Sequence, residues 1–459
     1  MNAIVLSAVF GVVMMFSGII TSHRQAIRVI AIVCMALLLG ANIAEQFGSN
    51  FFKFNPRNML VFDSFGLLFN SIAFASTLMY FFLSSRDMEK VGINLAEYFA
   101  LIFFILCGIA IASSFTTLLM LFLGIEIISI PLYILTGTDK RNLKSNEASL
   151  KYLLMGAFST CLMLMGIALL YGVSGTFQVD QIITTTEKIN PMTIGGILLL
   201  IISMSFKVSA APFHFWTPDV YDGAPTVFTS FMATVVKAAG FIAFIRLFGS
   251  SFIKLQSEWQ MIIAIITAAT LFIGNITAVF QQSVKRMLAY SSIAQAGFML
   301  FAILSMNDLA KEGLILYAAA YSLATIGTFA ILTRMKDYTF DGFNGFAKSQ
   351  PVLAATNTVF LLSLAGIPLT AGFFAKYWML AAALKTGKFL WLVIFAILCA
   401  AVSVYYYFRV IQAMYFRDAG LAEPVVTNKS FKGWLVVLAA IIILLGIFPE
   451  WLLEKLYFL

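Results

Sequence analysis

The chain has 459 residues, of which 61% are apolar and 11% carry a charge. Soluble proteins typically contain about 45 to 50% apolar and about 25% charged residues, so this composition indicates an integral membrane protein. The net charge of +8 does not indicate nucleic-acid binding, because the basic residues are spread through short loops and form no cluster or stripe.

Fourteen segments are apolar and long enough to cross a hydrocarbon layer of about 30 Å, which requires about 20 helical residues. Long continuous apolar runs favour helices, because no backbone polar group can face lipid unpaired. We therefore predict an all-α integral membrane protein with about 14 transmembrane helices in one membrane domain. The predicted spans are residues 3–20, 27–44, 59–83, 95–113, 115–135, 149–173, 192–214, 226–247, 260–280, 286–305, 313–333, 353–384, 388–411 and 433–453.

The first span has no basic segment before it and no small-residue cleavage pattern, so we expect a retained helix and not a signal peptide. Alternate loops, beginning with the loop after the first span, hold most of the basic residues. The positive-inside rule then predicts a multi-pass protein of the cell (inner) membrane with both termini on the non-cytoplasmic side.

Four ionisable residues lie deep in apolar spans: Glu126 in span 5, Lys207 in span 7, Lys237 in span 8 and Lys376 in span 12. An ionised side chain at the centre of a membrane helix costs ~2.5 to 3.5 kcal/mol, so such residues usually face a bundle interior or a wet cavity. A desolvated lysine can lose its proton, whereas arginine stays charged. The pattern predicts a proton path, although Glu126 could instead be a structural partner that only neutralises a lysine.

Two of the lysine-bearing spans also contain helix breakers, Pro212 in span 7 and the pair Gly366 and Pro368 in span 12. Paired interrupted spans indicate an ion site and an internal inverted repeat. Because spans 7 and 12 lie five apart, we predict two inverted five-helix repeats, spans 4–8 and 9–13. The predicted divisions are three N-terminal helices in 1–92, the first repeat in 93–248, the second repeat in 259–413 and a last helix in 414–459.

Further polar residues lie close to these spans. Ser230 and Thr234 precede Lys237 at helical spacing and would line a hydrated channel on one face of span 8; the alternative is that they let helices pack closely. Lys151 lies near the start of span 6, where it could take part in the proton path or could extend to the membrane surface. His214 lies at the end of span 7, and its side chain is suited to proton transfer near neutral pH.

The sequence contains no spacing typical of a metal or nucleotide site. The four cysteines lie singly in apolar runs, so we interpret them as small core residues and predict no metal. Neither a dinucleotide fingerprint nor a Walker loop is present, so we expect no cofactor on this chain. We assign the three consecutive tyrosines at 405–407 to an interfacial aromatic belt.

Several longer motifs resemble one family. The stretch SFKVSAAPFHFWTPDVYDGAPTVFTSFMATVVKAAGF at 205–241 is similar to the signature of the antiporter-like subunits of proton-pumping NADH:quinone oxidoreductase, complex I. LGIEIISIPLYIL around Glu126, LAYSSIAQAGFM at 288–299 and LAGIPLTAGFFAKYW around Lys376 resemble their fifth, tenth and broken twelfth helices. The resemblance covers nearly the whole chain. It is strongest to subunit N, also called subunit 2, because no lateral C-terminal helix follows and span 12 carries lysine where subunit M usually has glutamate.

The resemblance implies a role for each matching residue. Glu126 and Lys207 would form the pair on spans 5 and 7, Lys237 would be the central relay, and Lys376 would be the terminal lysine opening toward the outer face. The tenth helix contributes no acid, so the second half of the channel would depend on Lys376 and water.

The resemblance also implies proton delivery by Lys151 and His214 and an enzyme whose redox centres lie elsewhere. FMN, iron–sulfur clusters and quinone would belong to partner subunits, and the neighbours would be antiporter-like subunit M, the small membrane subunits and lipids. Two alternatives remain open from the sequence. The chain could belong to a multisubunit Na⁺/H⁺ antiporter, or it could be a passive scaffold whose buried charges fix helix register.

Overall fold

The computed structural model describes residues 1–52, 57–183, 190–418 and 427–454 of the chain. Its α-helices are α1 Asn2–Ile20, α2 Arg24–Gln46, α3 Ser64–Val91, α4 Leu95–Ala112, α5 Leu118–Thr136, α6 Leu143–Ser174, α7 Pro191–Lys207, α8 Trp216–Gly223, α9 Thr226–Phe231, α10 Lys237–Phe248, α11 Gln256–Val279, α12 Val284–Ser305, α13 Asp308–Leu332, α14 Phe346–Ser349, α15 Pro351–Ala365, α16 Ala371–Lys385, α17 Leu390–Phe416, α18 Lys429–Ile447 and α19 Glu450–Leu453.

The helices confirm the predicted fold class. Within the described ranges, twelve continuous segments are long and apolar enough to cross a membrane, and the shorter apolar helices α7 and α15 belong to the two remaining spans. Span 8 is continuous but not uniform, because a π-helical segment, Met232–Val236, separates α9 from α10. The β-structure among the described residues is confined to isolated bridges such as Leu60 with Phe115.

Spans 7 and 12 are broken into half-helices, as their breakers predicted. Helix α7 ends at Lys207 and α8 begins at Trp216, with Pro212 between them. Helix α15 ends at Ala365, and the φ of +82° at the next residue, Gly366, is the left-handed conformation that glycine adopts without strain and that commonly ends helices. Pro368 lies between α15 and α16, where no helical hydrogen bond is required of it.

Corresponding helices pack in the same way in the two predicted repeats. Helix α4 packs on α5 in the first repeat, and α11 packs on α12 in the second. Helix α6 packs along α7, and α13 packs along both halves of span 12, α15 and α16. Since each repeat has an odd number of spans, the second crosses the membrane in the opposite direction to the first. The repeat is therefore inverted.

Burial identifies the centre of the bundle. Helices α12 and α13 are buried along almost their whole length, whereas α1, α2, α6, α17 and α18 expose large apolar residues to their surroundings. A helix that is apolar on its exposed face belongs against lipid or a partner subunit. Polar side chains on α12 and α13 are therefore removed from lipid and must be satisfied by other parts of the protein.

Three details differ from the sequence-based expectations. Helix α3 continues to Val91, beyond the predicted end of span 3 at 83, because its last turns are charged and invisible to an apolar pattern. Cys161 is exposed and not a core residue, whereas the other cysteines are buried. The aromatic-belt assignment is wrong for Tyr406 and Tyr407, which are fully buried against neighbouring helices, while Tyr405 is exposed.

Candidate functional site

The acidic residue of span 5 lies close to the lysine that ends the first half of span 7. The Nζ of Lys207 is 3.9 Å from Oε1 of Glu126 and donates a 2.9 Å hydrogen bond to Oγ of Ser129. The hydroxyl of Thr160, on α6, donates a 2.6 Å hydrogen bond to the same carboxylate oxygen. The carboxylate thus has two partners, and the lysine is held mainly by Ser129 at a loose distance from the acid.

The central lysine is the most deeply buried of the three. Lys237 is 2% exposed, and its Nζ donates 2.9 Å hydrogen bonds to both the backbone oxygen and Oγ of Ser292 on α12. The Nζ also lies 5.7 Å from the centre of the Tyr221 ring, whose electron-rich face attracts a cation. No carboxylate forms an ion pair with Lys237 among the described residues.

The lysine of span 12 binds the broken end of its own span. The Nζ of Lys376 donates hydrogen bonds to the backbone oxygens of Leu364, at 2.9 Å, and Ala365, at 2.8 Å. These are the last carbonyls of α15, which have no intrahelical partner and carry the negative end of the helix dipole. The Nζ also lies 4.9 Å from the centre of the Phe298 ring. The helix break therefore supplies the binding site for the ammonium group.

Helix α12 links the second and third lysines through polar side chains. Ser292 binds Lys237, and Gln295, one turn further along α12, donates a 2.8 Å hydrogen bond to the oxygen of Leu364. Lys376 donates to that same oxygen, so the two lysines are joined by a short polar route across the bundle centre. Residues three apart lie on one helix face, which explains how α12 serves both.

Tyrosines surround this route. The hydroxyl of Tyr317, on α13, donates to the side-chain oxygen of Gln295, and the amide nitrogen of Gln295 donates to the hydroxyl of Tyr407 at 3.1 Å. A cavity of about 10 Å³ lies between Gln295, Tyr317, Tyr321 and Lys376, which is roughly the space for the centre of a single water molecule. The buried hydroxyl of Tyr321 has no hydrogen-bond partner in the described part of the chain.

Lys207 and Lys237 are connected only through packing of the helices that carry them. No side-chain hydrogen bond links Lys207 to Lys237 within the described residues, but the helices that carry them touch at Gly240. A β-carbon at Gly240 would lie 2.9 Å from Cγ1 of Val208 and 3.9 Å from the carbonyl carbon of Lys207. The glycine thus allows the end of α7 to approach α10, one turn after Lys237.

The structure modifies the predicted channel face of span 8. Ser230, Thr234 and Lys237 are all buried, but the π-helical segment between α9 and α10 changes the regular helical spacing on which the prediction depended. The hydroxyl of Thr234 donates a 2.6 Å hydrogen bond to the backbone oxygen of Ser230. The Oγ of Ser230 is buried without a hydrogen-bond partner among the described residues, so it is available to a water.

The two residues expected to deliver protons lie in different surroundings. Lys151 is partly exposed, and its Nζ lies 2.7 Å from Glu147 and 2.9 Å from Asp219, which is on α8. His214 lies in the break between α7 and α8, is 5% exposed and stacks on Phe215. The described contacts include no hydrogen bond between Lys151 and His214, whose Nδ1 has no partner there.

Lys285 binds the second half of the other broken span, span 7. The Nζ of Lys285 donates hydrogen bonds to the backbone oxygens of Asp222, at 2.8 Å, and Ala224, at 2.7 Å, at the end of α8. Arg286, the next residue, lies 2.9 Å from Asp219. Helix α12 therefore begins with two cations that fix α8, and Lys151 joins the same network through Asp219.

Sequence reasoning missed several of these groups. Ser292 and Gln295 form a polar pair at helical spacing within the apolar span SSIAQAG, and this signal could have been used. Ser129 lies one turn after Glu126 and gave a similar signal. Thr160 gave none, because a single hydroxyl in a membrane helix usually bonds its own backbone.

Comparison with known proteins assigns the family. Residues 115–402 match a family model described as "NADH:quinone oxidoreductase/Mrp antiporter, TM". NADH-quinone oxidoreductase subunit N of Cytophaga hutchinsonii is 40% identical over 464 aligned residues, which cover 99% of both chains. Subunit N 2 of Rhizobium meliloti is 38% identical, over 86% of this chain and 84% of the relative. The chain belongs to the subunit N family of NADH-quinone oxidoreductase.

Solved structures agree with this assignment. A chain of the Thermus thermophilus structure titled "Respiratory complex I from Thermus thermophilus with bound Aureothin" superposes with a TM-score of 0.86 at 30% identity, and 99% of each chain is covered. A chain of the Mrp complex from Dietzia has the same TM-score at 17% identity, over 99% of this chain and 95% of the other. The likeness to the Mrp complex chain shows a shared fold only. The subunit N family assignment confirms the resemblance found in the sequence motifs.

Proposed function

We propose that this subunit translocates protons across the membrane within a respiratory NADH:quinone oxidoreductase. Family membership supports this function, and the single structural observation that carries the route is the line of buried lysines. Lys237 and Lys376 are buried and Lys207 is largely enclosed, and the Nζ of each lysine is held by protein oxygens. Buried ionisable groups in membrane helices are maintained for ion or proton movement.

The first step depends on the acid–lysine pair. A nearby carboxylate favours the charged form of a lysine, and withdrawal of the carboxylate favours proton release. Glu126 is already shared between Thr160 and Lys207, and at 3.9 Å its ion pair with the lysine is loose. A small movement of the Glu126 side chain toward Thr160 would leave Lys207 with Ser129 alone and send its proton toward Lys237.

The second step depends on dipoles instead of an acid. Lys237 releases a proton toward Ser292, and water near Gln295 and Tyr317 carries it to Lys376. The carbonyls that end α15 attract the arriving charge. Exit toward the outer face follows when Lys376 leaves these carbonyls. We assign proton delivery from the opposite side to Lys151 and His214, with Asp219 as an added member.

The energy comes from other subunits. We place flavin, iron–sulfur clusters and quinone reduction in partner subunits, as the resemblance to the antiporter-like membrane subunits implies. Its partners are the other membrane-arm subunits, including antiporter-like subunit M, together with lipids. We also propose a location in the cell inner membrane with both termini outside the cytoplasm, and the division of the chain at 1–92, 93–248, 259–413 and 414–459.

Replacement of the central lysine tests this function. In the Lys237→Met complex we expect normal assembly, because methionine fills the space in an apolar bundle, with reduced quinone reduction and reduced proton translocation. The measurement is NADH-driven acidification of membrane vesicles alongside the rate of quinone reduction. A matched control is Lys385→Met, which removes an exposed lysine at the end of α16.

Each alternative predicts a different result. A passive scaffold would show impaired assembly with unchanged pumping per electron in the Lys237→Met complex. A subunit of a Na⁺/H⁺ antiporter would not copurify with flavin and iron–sulfur subunits, and its activity in vesicles would require a sodium gradient and no NADH. Either result would contradict the proposed function.

A further inference from the structure

A basic cavity lies at one end of the bundle, away from the buried lysines. Its volume is about 210 Å³, and it lies between the start of α2, the end of α3 and the start of α18. Three arginines line it: Arg28, Arg86 and Arg334. These helix ends lie on the side where the basic loop residues concentrate, so the cavity is at the level of the lipid headgroups.

The acids beside the cavity leave it positive. Arg28 lies 3.1 Å from Glu89, which Arg24 also approaches at 4.0 Å. Arg86 forms neither an ion pair nor a hydrogen bond within the described residues. One carboxylate thus serves two arginines, and a third arginine has no acidic partner.

The buried acid Asp87 is likewise shared. Its carboxylate lies 3.0 Å from Nε of Arg334 and 2.8 Å from Nζ of Lys90. The planar guanidinium of Arg334 also packs over the ring of Phe431, which fixes its orientation. The terminal nitrogens of Arg334 make no hydrogen bond in the described part of the chain, so they remain available to an anion.

The start of α18 adds donors to the same cavity. Asn428 and Ser430 line it, and the side chain of Asn428 forms no capping hydrogen bond to the helix. The first backbone N–H groups of α18 therefore have no side-chain acceptor, and the positive end of the helix dipole lies beside the arginines. Together these groups provide what a phosphate requires.

An apolar strip continues from the cavity into the membrane. Phe82 and Trp434 stack at 4.1 Å between ring centres and form part of its wall. On α2, Val29, Val33 and Leu37 follow at four-residue intervals, and all three are exposed. Aromatic rings at headgroup level above an apolar strip match the amphipathic shape of a phospholipid.

We propose that this cavity binds the phosphate of an anionic phospholipid, with one acyl chain along the exposed strip of α2. Basic pockets between transmembrane helices are suited to anionic headgroups. A free phosphate would satisfy the arginines but would leave the strip uncovered. The lipid would join α2 and α3 of the N-terminal helices to α18, which packs on the second repeat. This site is independent of the proton route.

Photolabelling of the assembled complex tests the site. The complex is reconstituted with phosphatidylglycerol or phosphatidylcholine bearing a diazirine on one acyl chain, and labelled peptides are identified by mass spectrometry. We expect phosphatidylglycerol to label peptides of α2 and α18 preferentially. In Arg86→Gln this labelling falls about fivefold, the factor expected for one basic residue at an anionic surface, and Arg86→Lys retains most of it.

Arg141→Gln is the matched control, because Arg141 is an exposed arginine on a loop outside the cavity. Its complex should label like the unmodified one. Equal labelling by phosphatidylcholine, or an unchanged Arg86→Gln complex, would overturn the proposal. Loss of labelling in millimolar inorganic phosphate would assign the cavity to free phosphate. Absence of lipid label, with cross-links from the cavity to a partner subunit, would assign it to an acidic protein segment.

Discussion

The two broken spans hold their lysines by different physical means. In span 7, Lys207 ends the first half-helix and lies beside an acid, Glu126, on the neighbouring α5. In span 12, Lys376 belongs to the second half-helix and reaches back to the terminal carbonyls of the first. The corresponding neighbour in the second repeat, α12, offers the neutral Gln295 in place of an acid.

In the proposed proton route, this difference would give the two halves different tasks. An ion pair responds strongly to a small displacement of either charge, so the first half can act as the switch. Helix-end carbonyls are fixed by the backbone and carry partial charges, so the second half can accept and release a proton without a moving partner. Both broken spans thus carry a lysine, on different half-helices, and different groups stabilise its charge.

The largest effect should come from filling the break in span 12. A β-carbon at Gly366 would lie 2.8 Å from Cδ and 3.3 Å from Nζ of Lys376, so Gly366→Ala should displace the ammonium from its carbonyls. We expect proton translocation to fall on the order of tenfold to a hundredfold, as for other misplaced reacting groups. The measurement is NADH-driven acidification of vesicles.

Gly387→Ala separates this displacement from backbone strain. Gly387 also has a positive φ, +69°, but nothing lies within 4 Å of a β-carbon there. Each substitution should destabilise the complex by ~1 to 2 kcal/mol through the left-handed backbone alone. Only Gly366→Ala should also lose translocation. Equal losses in both complexes would show that strain, and not the position of Lys376, explains the effect.

A double-mutant cycle should distinguish the acid-paired half from the other. Lys207→Met leaves the carboxylate of Glu126 without its cation, and we expect reduced assembly and thermal stability. Adding Glu126→Gln removes that charge and should recover ~1 to 3 kcal/mol of the free energy of unfolding. Lys376→Met should assemble without any second change, since its described contacts include no acid.

The thermal stability of the purified Lys207→Met, Lys207→Met/Glu126→Gln and Lys376→Met complexes is measured by thermal melting. Thr160→Val is a useful companion variant, because it removes the hydroxyl bound to Glu126 and leaves both charges in place. If Glu126→Gln fails to improve the Lys207→Met complex, the 3.9 Å pair does not stabilise the first half. The switch would then have to lie elsewhere.

Much of this organisation could be predicted from sequence. Apolar length predicted the spans, the breakers at Pro212 and Gly366 predicted the half-helices, and buried charge predicted the lysines. The acceptors could not be predicted, because the oxygens of Leu364 and Ala365 are backbone atoms that every residue has. Their availability depends on where a helix ends in three dimensions.

Other features depend on tertiary packing in the same way. The π-helical segment in span 8 follows no sequence pattern that we could use, and it changes the facing of Ser230 and Thr234. Tyr406 and Tyr407 have the composition of an aromatic belt, yet α17 turns them toward α11 and α12, where they bond Asn275 and Gln295. Sequence could not determine which face of α17 is inside.

The smallest effect concerns the link between the lysines. Gln295→Leu keeps the side-chain volume but removes the bond to the oxygen of Leu364 and the partner of Tyr317. We expect proton translocation to fall about fivefold, the factor that corresponds to one hydrogen bond of ~1 kcal/mol. The binding of Lys376 to the carbonyls of α15 remains, so assembly should be normal.

Gln260→Leu is a close control for this substitution. Gln260, on α11, is also buried and donates a 2.9 Å hydrogen bond to a backbone oxygen, that of Leu304, but it touches none of the lysines. Gln260→Leu loses one amide–carbonyl hydrogen bond, whereas Gln295→Leu also loses its bonds to Tyr317 and Tyr407. Gln295→Leu should therefore lose more stability, and translocation is compared per assembled complex. A selective loss of translocation in Gln295→Leu would therefore measure the link itself. Equal rates would mean that protons reach Lys376 by water alone, so that neither Lys207 nor Lys376 would exchange protons with Lys237 through a side chain.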